Sequence, residues 1–302
     1  MRDYRALLAA IAVPRLTGTA ANQQIREVLK RELAARGLVV MEHRFTGRSL
    51  LHRLGRAPLE GVNLIAVRPR ARVSVWLAAH YDSKGQPLSM AARLVAAALA
   101  ALGALELVAL VVRALLGTLR ADVPDVLAGA AGLTGVLLLA ANRVTDRSTG
   151  AVDNAAGVVA VLATLDALPP DAPVGVLFPD AEEYGLLGAR ALVRERANLL
   201  ADTCLVNFDG VDDRGSTIAL VHRAGPTTVR VAAALGARRA RWLPVLVDGL
   251  VLSAAAREGM TIMRGDWRTA RIVHTLRDSA ERLTLEGVRR VAAGVAAALF
   301  PG

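Results

Sequence analysis

Two long apolar runs in the middle of the 302-residue chain constrain its fold more than any other feature. Residues 94–112 are interrupted only by Glu106, and residues 126–141 contain no charge. The segment between them carries Arg, Gly and Pro, so the sequence predicts a helical hairpin. Roughly 17–25 helical residues are needed to cross a bilayer core. The first run meets that length and the second is marginal.

The hairpin has two interpretations. A soluble lid or dimerisation arm is favoured by Glu106, because a carboxylate in the middle of a bilayer is costly. A two-span membrane anchor is favoured by the length and low charge of the runs. Small residues such as Gly129, Gly132 and Gly135 would let the two helices approach closely. We expect the membrane bilayer to be a partner of the chain.

Composition excludes some functions. The net charge is +10, but lysine occurs only at positions 30 and 84, and aromatic residues make up 3%. With no stacking platform for bases, nucleic acid is not an expected partner. The single cysteine, Cys204, excludes an intramolecular disulfide and is expected to be buried. The short apolar stretch before Pro14 predicts a first helix rather than a signal peptide.

Outside the hairpin, strand and helix patterns alternate. Strands are predicted at residues 38–45, 61–69, 72–80, 172–180, 203–211 and 260–265, and helices at 22–37, 155–168, 184–197, 227–240 and 285–300. This alternation predicts an α/β fold, a three-layer sandwich with a mostly parallel central sheet. We expect one domain over residues 1–302, with residues 85–147 inserted as the hairpin.

Candidate metal ligands follow several of the predicted elements. They are His80, Asp82, Asp153, Asp180, Glu182, Glu183, Asp209 and His274. Ligands of such sheets bind beyond the carboxyl ends of the strands, and mixed imidazole and carboxylate ligation suits zinc or another borderline divalent ion. Each residue alone also has an ordinary explanation as a helix cap, a solvated first turn or a turn residue. Together they predict one metal site.

The order of these motifs resembles metallopeptidase family 28, the co-catalytic dizinc aminopeptidases. The matching segments are HYD at 80–82, DNAAG at 153–157, EEYGLLG at 182–188, NFDG around Asp209 and HTLRD at 274–278. The N-terminal segment PRLTGTAANQQIREVLKRELAARG is also similar to that family's opening helix. The resemblance covers nearly the whole chain except about residues 85–147.

The resemblance implies a site with two zinc ions. Asp153 would bridge them, His80 and Asp209 would complete one ion, and Glu183 and His274 the other. Glu182 would be the general base that acts on a water shared by the two ions.

In the same reading, Asp82 would orient His80. The implied activity is that of a metallo-aminopeptidase. Its substrate would be a peptide with a free N-terminus, whose amine is anchored by acidic groups near the metals.

One departure from the family pattern concerns the residue before the last histidine. Many members have an aromatic residue there, where a tyrosine can stabilise the oxyanion, whereas this chain has Val273. Glutaminyl cyclases share the ligand order but carry a tryptophan in that region, which leaves acyl transfer of that kind as an alternative. A non-catalytic membrane scaffold is a second alternative, disfavoured because all five ligands and the base are present.

The remaining histidines and the topology complete these predictions. His43, His52 and His222 match no motif, and we expect no direct role for them. Basic residues flank the domain side of the hairpin at Lys84, Arg93, Arg143 and Arg147, against Arg113 and Arg120 in the connection. This bias predicts a cytoplasmic catalytic domain on a membrane anchor, with a soluble cytoplasmic protein as the alternative. The sequence indicates no particular oligomeric state.

Overall fold

A computed structural model describes residues 2–49, 57–70 and 72–300. Its helices are α1 (Tyr4–Ile11), α2 (Ala20–Ala34), α3 (Met90–Leu115), α4 (Val123–Ala141), α5 (Ala156–Ala167), α6 (Leu187–Arg196), α7 (Pro226–Ala234), α8 (Asp248–Ala255), α9 (Trp267–Ala270) and α10 (Glu286–Leu299). Its strands are β1 (Val39–Gly47), β2 (Leu59–Val67), β3 (Val75–Ala78), β4 (Val174–Phe178), β5 (Cys204–Val211), β6 (Ser216–Arg223), β7 (Arg238–Ala240) and β8 (Glu258–Gly265).

The strands form one mixed sheet in the order β1-β2-β4-β3-β5-β8-β6-β7. The four central strands, β4, β3, β5 and β8, run parallel. Three pairings outside this centre are antiparallel: those of β1 with β2, β2 with β4 and β6 with β8. The predicted parallel sheet is therefore its centre, and the α/β fold is confirmed.

Helices cover both faces of the sheet and give the three layers. On one face the core contains α5, which is buried on nearly every side, and the apolar sides of α1, α2 and α10. On the other face α6 and α8 pack against Trp76 and Leu205. Cys204 is buried in β5, as expected from its apolar neighbours.

The helix predicted for residues 227–240 is wrong over its second half. Helix α7 ends at Ala234, and Gly236 has a φ of 55°, a left-handed conformation that glycine adopts at helix ends. The following residues, Arg238–Ala240, form the edge strand β7 beside β6. The sequence after the glycine is only weakly apolar and gives no strand signal of its own. β7 forms because it pairs with β6.

The apolar runs form two helices that are longer than the runs themselves. α3 has 26 residues and α4 has 19, and both are long and apolar enough to cross a membrane. They pack through small residues: a Cβ on Gly103 would lie 2.5 Å from the Cα of Gly132. Their large side chains point outward, with Leu105 69% and Val126 66% exposed.

Polar contacts close both ends of the hairpin. At the tip, Arg113 pairs with Glu106 at 2.7 Å and with Asp125 at 2.7 Å. The Glu106 carboxylate, whose charge disfavours a membrane span, is therefore paired with a cation. At the root, Gly85 and Thr145 exchange backbone hydrogen bonds of 2.6 and 2.8 Å. The hairpin therefore leaves and re-enters the α/β domain at one point.

Candidate metal centre

Five elements bring the predicted site residues to one edge of the sheet. His80 and Asp82 follow β3, and Glu182 and Glu183 lie in a short 3-10 turn after β4. Asp153 lies in the turn before α5. Asp209 and His274 approach from β5 and from the turn after α9. All seven residues are buried.

Asp209 does not lie at the end of its strand as expected. β5 continues to Val211, and its register against β8 shifts between Phe208 and Val211. This bulge leaves Asp209 without a ladder partner, and Gly210 in the bulge has a φ of 68°. Bulges turn side chains out of the alternating pattern of a strand. The bulge accounts for a carboxylate aimed at the site from inside a strand.

Asp153 stands between the two histidines. Its Oδ1 lies 3.1 Å from His80 Nε2, and its Oδ2 lies 2.8 Å from His274 Nε2. His274 Nε2 is also 3.0 Å from Glu183 Oε1, and His80 Nε2 is 3.9 Å from Asp209 Oδ1. The ligand atoms form two clusters, His80–Glu182–Asp209 and Asp153–Glu183–His274, each within 4.8 Å. One carboxylate thus faces both clusters with one oxygen each.

The adjacent glutamates have different surroundings. The Oε2 of Glu183 is held by Lys84 Nζ at 2.6 Å, while its Oε1 points to His274. In the described part of the chain, the Glu182 carboxylate has no hydrogen bond or ion pair, whereas its backbone N–H and carbonyl oxygen are both hydrogen-bonded. One member of the pair is fixed and the other is free.

Two further aspartates position the backbone of the site. Asp82 accepts hydrogen bonds from the N–H groups of Glu182 and Glu183 at 3.2 and 3.1 Å. It also lies 3.4 Å from His80 Nδ1, which has the Asp82 carbonyl oxygen at 3.2 Å. Asp278 accepts from the N–H of Val152 at 2.7 Å and from that of Asp153 at 3.3 Å. These carboxylates hold the turns that carry the candidate ligands.

Asp180 and Asp248 differ from what the sequence suggested. Asp180 accepts from Thr17, Asn22, Tyr81 and the Val62 N–H, so its role is structural. Asp248, at the start of α8, was not predicted. It is fully buried beside His80, Asp82 and Asp209, and neither of its side-chain oxygens has a hydrogen-bond partner. Its sequence context, VDGL, is typical of a helix start and carries no catalytic signal.

Burial and charge divide the acids of the site into two groups. Burial, reinforced by Glu183, Asp209 and Asp248, raises the pKa of Glu182 well above its ordinary value. Burial likewise raises the pKa of Asp209 to about 7. For Glu183 burial is outweighed by His274 and Lys84, which lower its pKa to about 2. Glu183 is therefore the more acidic member of the pair.

The donor set fits divalent metal ions. Glu183 Oε1, Asp209 Oδ2 and His274 Nε2 are buried without a hydrogen-bond partner. Buried polar atoms that make no hydrogen bond are costly, and these three atoms all face the two clusters. The acids Asp82, Asp153, Glu182, Glu183, Asp209 and Asp248 are also in excess over the nearby cations Arg15, Lys84 and Arg93. A divalent ion in each cluster would satisfy both the atoms and the charge.

The model of peptidase family M28 matches residues 63–299, which include every one of these residues. The chain belongs to peptidase family M28. The resemblance expected from the motif order is thereby confirmed at the level of the family. No curated protein matches the chain.

The solved structures that are similar in fold to this M28 chain include two kinds of enzyme. A zinc-dependent exopeptidase from Parabacteroides distasonis aligns with a TM-score of 0.66 at 19% identity, covering 99% of this chain and 96% of that one. A Bacillus subtilis zinc aminopeptidase gives 0.65 at 12%, covering 98% and 93%. The glutaminyl cyclase of Porphyromonas gingivalis gives 0.63 at 17%, covering 98% and 96%. These likenesses establish the fold, on which both activities occur.

Two of the other histidines singled out in the sequence bond to residues outside the M28 site. His43 bonds to Glu195 and Asn63, and His222 bonds to Thr261. His52 lies outside the described residues. Val273 is buried directly before His274 and has no hydroxyl to offer an oxyanion.

Proposed function

We propose that the chain is a zinc-dependent aminopeptidase with Glu182 as its general base. The observation that carries this proposal is the division between the two adjacent glutamates. Glu183 is fixed by Lys84 and directed at His274, whereas Glu182 is unengaged and faces His80 and Asp209. A ligand must be held and a base must be free to reach its proton.

The arrangement supports two metal positions that share Asp153. His80 and Asp209 would complete one position, and Glu183 and His274 the other. Zinc bound there would polarise the scissile carbonyl and acidify a water molecule. Glu182 would take the proton of the attacking water and pass it to the leaving amine, as a general base that then acts as an acid. Asp82 would keep His80 and the glutamate turn in register, through its contacts to both.

Asp248 supports the choice of a substrate with a free amine. It is a buried acid beside the site whose two oxygens have no partner among the described residues. An N-terminal ammonium group would supply donors for these oxygens and a compensating positive charge. We propose that Asp248 is one of the acidic groups that anchor the substrate amine.

Substitution of Glu182 by Gln tests the assignment of the base. Glu182→Gln keeps the shape of the side chain but cannot accept the proton, so kcat on aminoacyl fluorogenic substrates should fall by roughly 10²–10⁴-fold. Metal analysis should still find two zinc ions per chain. Glu195→Gln, at an exposed position, serves as the control. Near-native activity of Glu182→Gln would refute the proposal.

Glutaminyl cyclisation is the second candidate, because cyclases share this fold over nearly the whole chain. The two activities separate on one substrate. A peptide with N-terminal glutamine loses ammonia when it is cyclised and releases free glutamine when it is hydrolysed. We expect free glutamine, and ammonia release without it would favour the cyclase.

We further propose that α3 and α4 anchor the protein in a bilayer. Many of their large apolar side chains are exposed, and small residues such as Gly103, Gly132 and Gly135 lie between the two helices. Such packing is typical of membrane hairpins, in which lipid covers the large side chains. Membranes from expressing cells should retain the protein after an alkaline carbonate wash, and its release into the wash would contradict the anchor.

A further inference from the structure

The root of the hairpin reaches directly into one of the two clusters. Lys84, just before the hairpin, holds Glu183, and the N–H of Gln86 donates to the carbonyl oxygen of His274 at 2.8 Å. Arg93, in the first turn of α3, places Nη2 against His274 Nδ1 and Nη1 against the side chain of Gln86. The segment that begins the hairpin therefore touches two candidate ligands.

These contacts make the two clusters electrostatically unequal. Lys84 and Arg93 bring two positive charges to the Asp153–Glu183–His274 cluster. Within the described ranges, neither a lysine nor an arginine pairs with His80, Glu182 or Asp209, and their neighbours Asp82 and Asp248 are acids. Lys84 and Arg93 therefore weaken the attraction of the first cluster for a divalent ion, whereas the acids beside the second cluster strengthen it.

The contact of Arg93 also conflicts with the proton that a metal-bound His274 needs. The Nε2 of His274 faces Asp153 and Glu183, so it is the atom that would bind a metal through its lone pair. The proton of a neutral imidazole must then lie on Nδ1. Arg93 offers only N–H donors and cannot accept that proton. A metal at His274 therefore requires Arg93 to leave Nδ1.

Arg93 has an alternative contact close by. Its Nη2 lies 3.6 Å from Met90 Sδ, and Gln86 already accepts from its Nη1. These contacts lie on the hairpin root itself, so Arg93 can move away from His274 without leaving α3.

We propose that Arg93 opposes zinc binding at the Asp153–Glu183–His274 cluster, so that this position fills second and more weakly than the His80–Asp209 position. The inference rests on the proposed two-metal site. It identifies the hairpin root as a regulator of metal occupancy, because Arg93 belongs to α3 and His274 to the catalytic body. Partners of metal-bound histidines typically change metal affinity by roughly 10–100-fold.

The test measures zinc binding rather than turnover. The full-length protein, stripped of metal in detergent, is titrated with Zn²⁺ in competition with a chromophoric chelator, which gives two dissociation constants. Arg93→Gln and Arg93→Met should tighten the weaker one by roughly 10–100-fold and leave the tighter one unchanged. His274→Gln should abolish the weaker step, which assigns it. Arg143→Gln makes the same charge change at an exposed position just after α4, and it should change neither dissociation constant.

The outcomes separate this inference from the proposed function. Unchanged or weakened second binding in both Arg93 variants overturns the inference, as does an equal effect of Arg143→Gln. Wild-type protein that binds no zinc contradicts the two-metal site itself.

Discussion

At the scale of single residues, the site works by giving similar side chains unlike surroundings. Glu182 and Glu183 are adjacent, but the turn that carries them begins after Ala181, whose φ of 57° is in the left-handed region. His274 is also left-handed, with a φ of 66°. Such conformations cost energy in non-glycine residues and cluster at functional sites. Here they aim neighbouring side chains at different partners.

Asp248 carries the first prediction at this scale. Asp248→Asn keeps the volume but removes the charge that would pair with the substrate amine. Loss of a hydrogen bond to a charged group is worth about 1.5–3 kcal/mol, so kcat/KM should fall about 10- to 150-fold. Steady-state kinetics on an aminoacyl substrate measures the change. Asp171→Asn, at an exposed acid, is the control, and an unchanged kcat/KM in Asp248→Asn would exclude an anchoring role.

The sequence predicted the metal-ligand candidates, and Asp82 as a partner of His80, but not the cations that contact the candidate ligands. His80, Asp153, Glu183, Asp209 and His274 lie in short motifs whose order can be recognised. The partners, such as Lys84 on Glu183 and Arg93 on His274, join residues 99 and 181 positions apart. Asp248 enters the site only because α8 packs beside β5. Such pairings depend on tertiary packing, for which the local sequence has no signal.

At the scale of elements, the hairpin is defined by where its glycines meet. A Cβ on Gly135 would lie 2.4 Å from the carbonyl oxygen of Ala96, whereas one on Gly129 would meet nothing within 4 Å. Both glycines lie in α4, and the sequence alone gives them equal weight as small residues. Only the relative rotation of the two helices decides which of them touches α3.

This difference supplies a matched pair of variants. Gly135→Leu must push α3 and α4 apart, and overpacking of this kind costs about 1–3 kcal/mol. Gly129→Leu makes the same change on the outer side and gains helix propensity. Thermal unfolding in detergent should show a lower Tm for Gly135→Leu and an equal or higher one for Gly129→Leu. Equal destabilisation of both would mean that the helices do not pack through Gly135.

At the scale of the whole molecule, metal and pH should control stability together. Burial raises the pKa of Asp180 and Asp278 to about 6 and that of Asp209 to about 7, from an ordinary 3.8. The folded state then binds these protons more tightly than the unfolded state, so stability is lost as pH rises from about 4 towards 7. Each such carboxyl lowers the free energy of unfolding by about 1.4 kcal/mol per pH unit between its unfolded-state and folded-state pKa.

The metal-free protein should therefore have a lower Tm at pH 7.5 than at pH 5. Zinc needs deprotonated ligands and compensates their charge, so it should raise the Tm more at pH 7.5 than at pH 5. Thermal scans with chelator and with zinc at both pH values measure this. A metal-free Tm that rises between pH 5 and pH 7.5 would show that other groups dominate the pH dependence.

If α3 and α4 cross a bilayer as proposed, the hairpin also sets the side of the membrane on which the catalytic domain lies. An even number of crossings returns the chain to the side that it left, so both halves of the site share one compartment. Arg143 and Arg147 are exposed at the root, whereas at the tip Arg113 is paired with Glu106 and Asp125, leaving Arg120. Basic residues in short flanks are retained in the cytoplasm. The catalytic domain should therefore be cytoplasmic, and the residues between α3 and α4 should lie outside.

Reporter fusions decide this orientation. A fluorescent protein fused to the C-terminus should be active and alkaline phosphatase in the same place silent. Fusions truncated after Thr118, between α3 and α4, should give the reverse, which controls for expression of both reporters. Active phosphatase at the C-terminus would place the catalytic domain outside. If the fluorescent protein is active and the phosphatase silent at both positions, the hairpin does not cross the membrane, and α3 and α4 must be covered in another way.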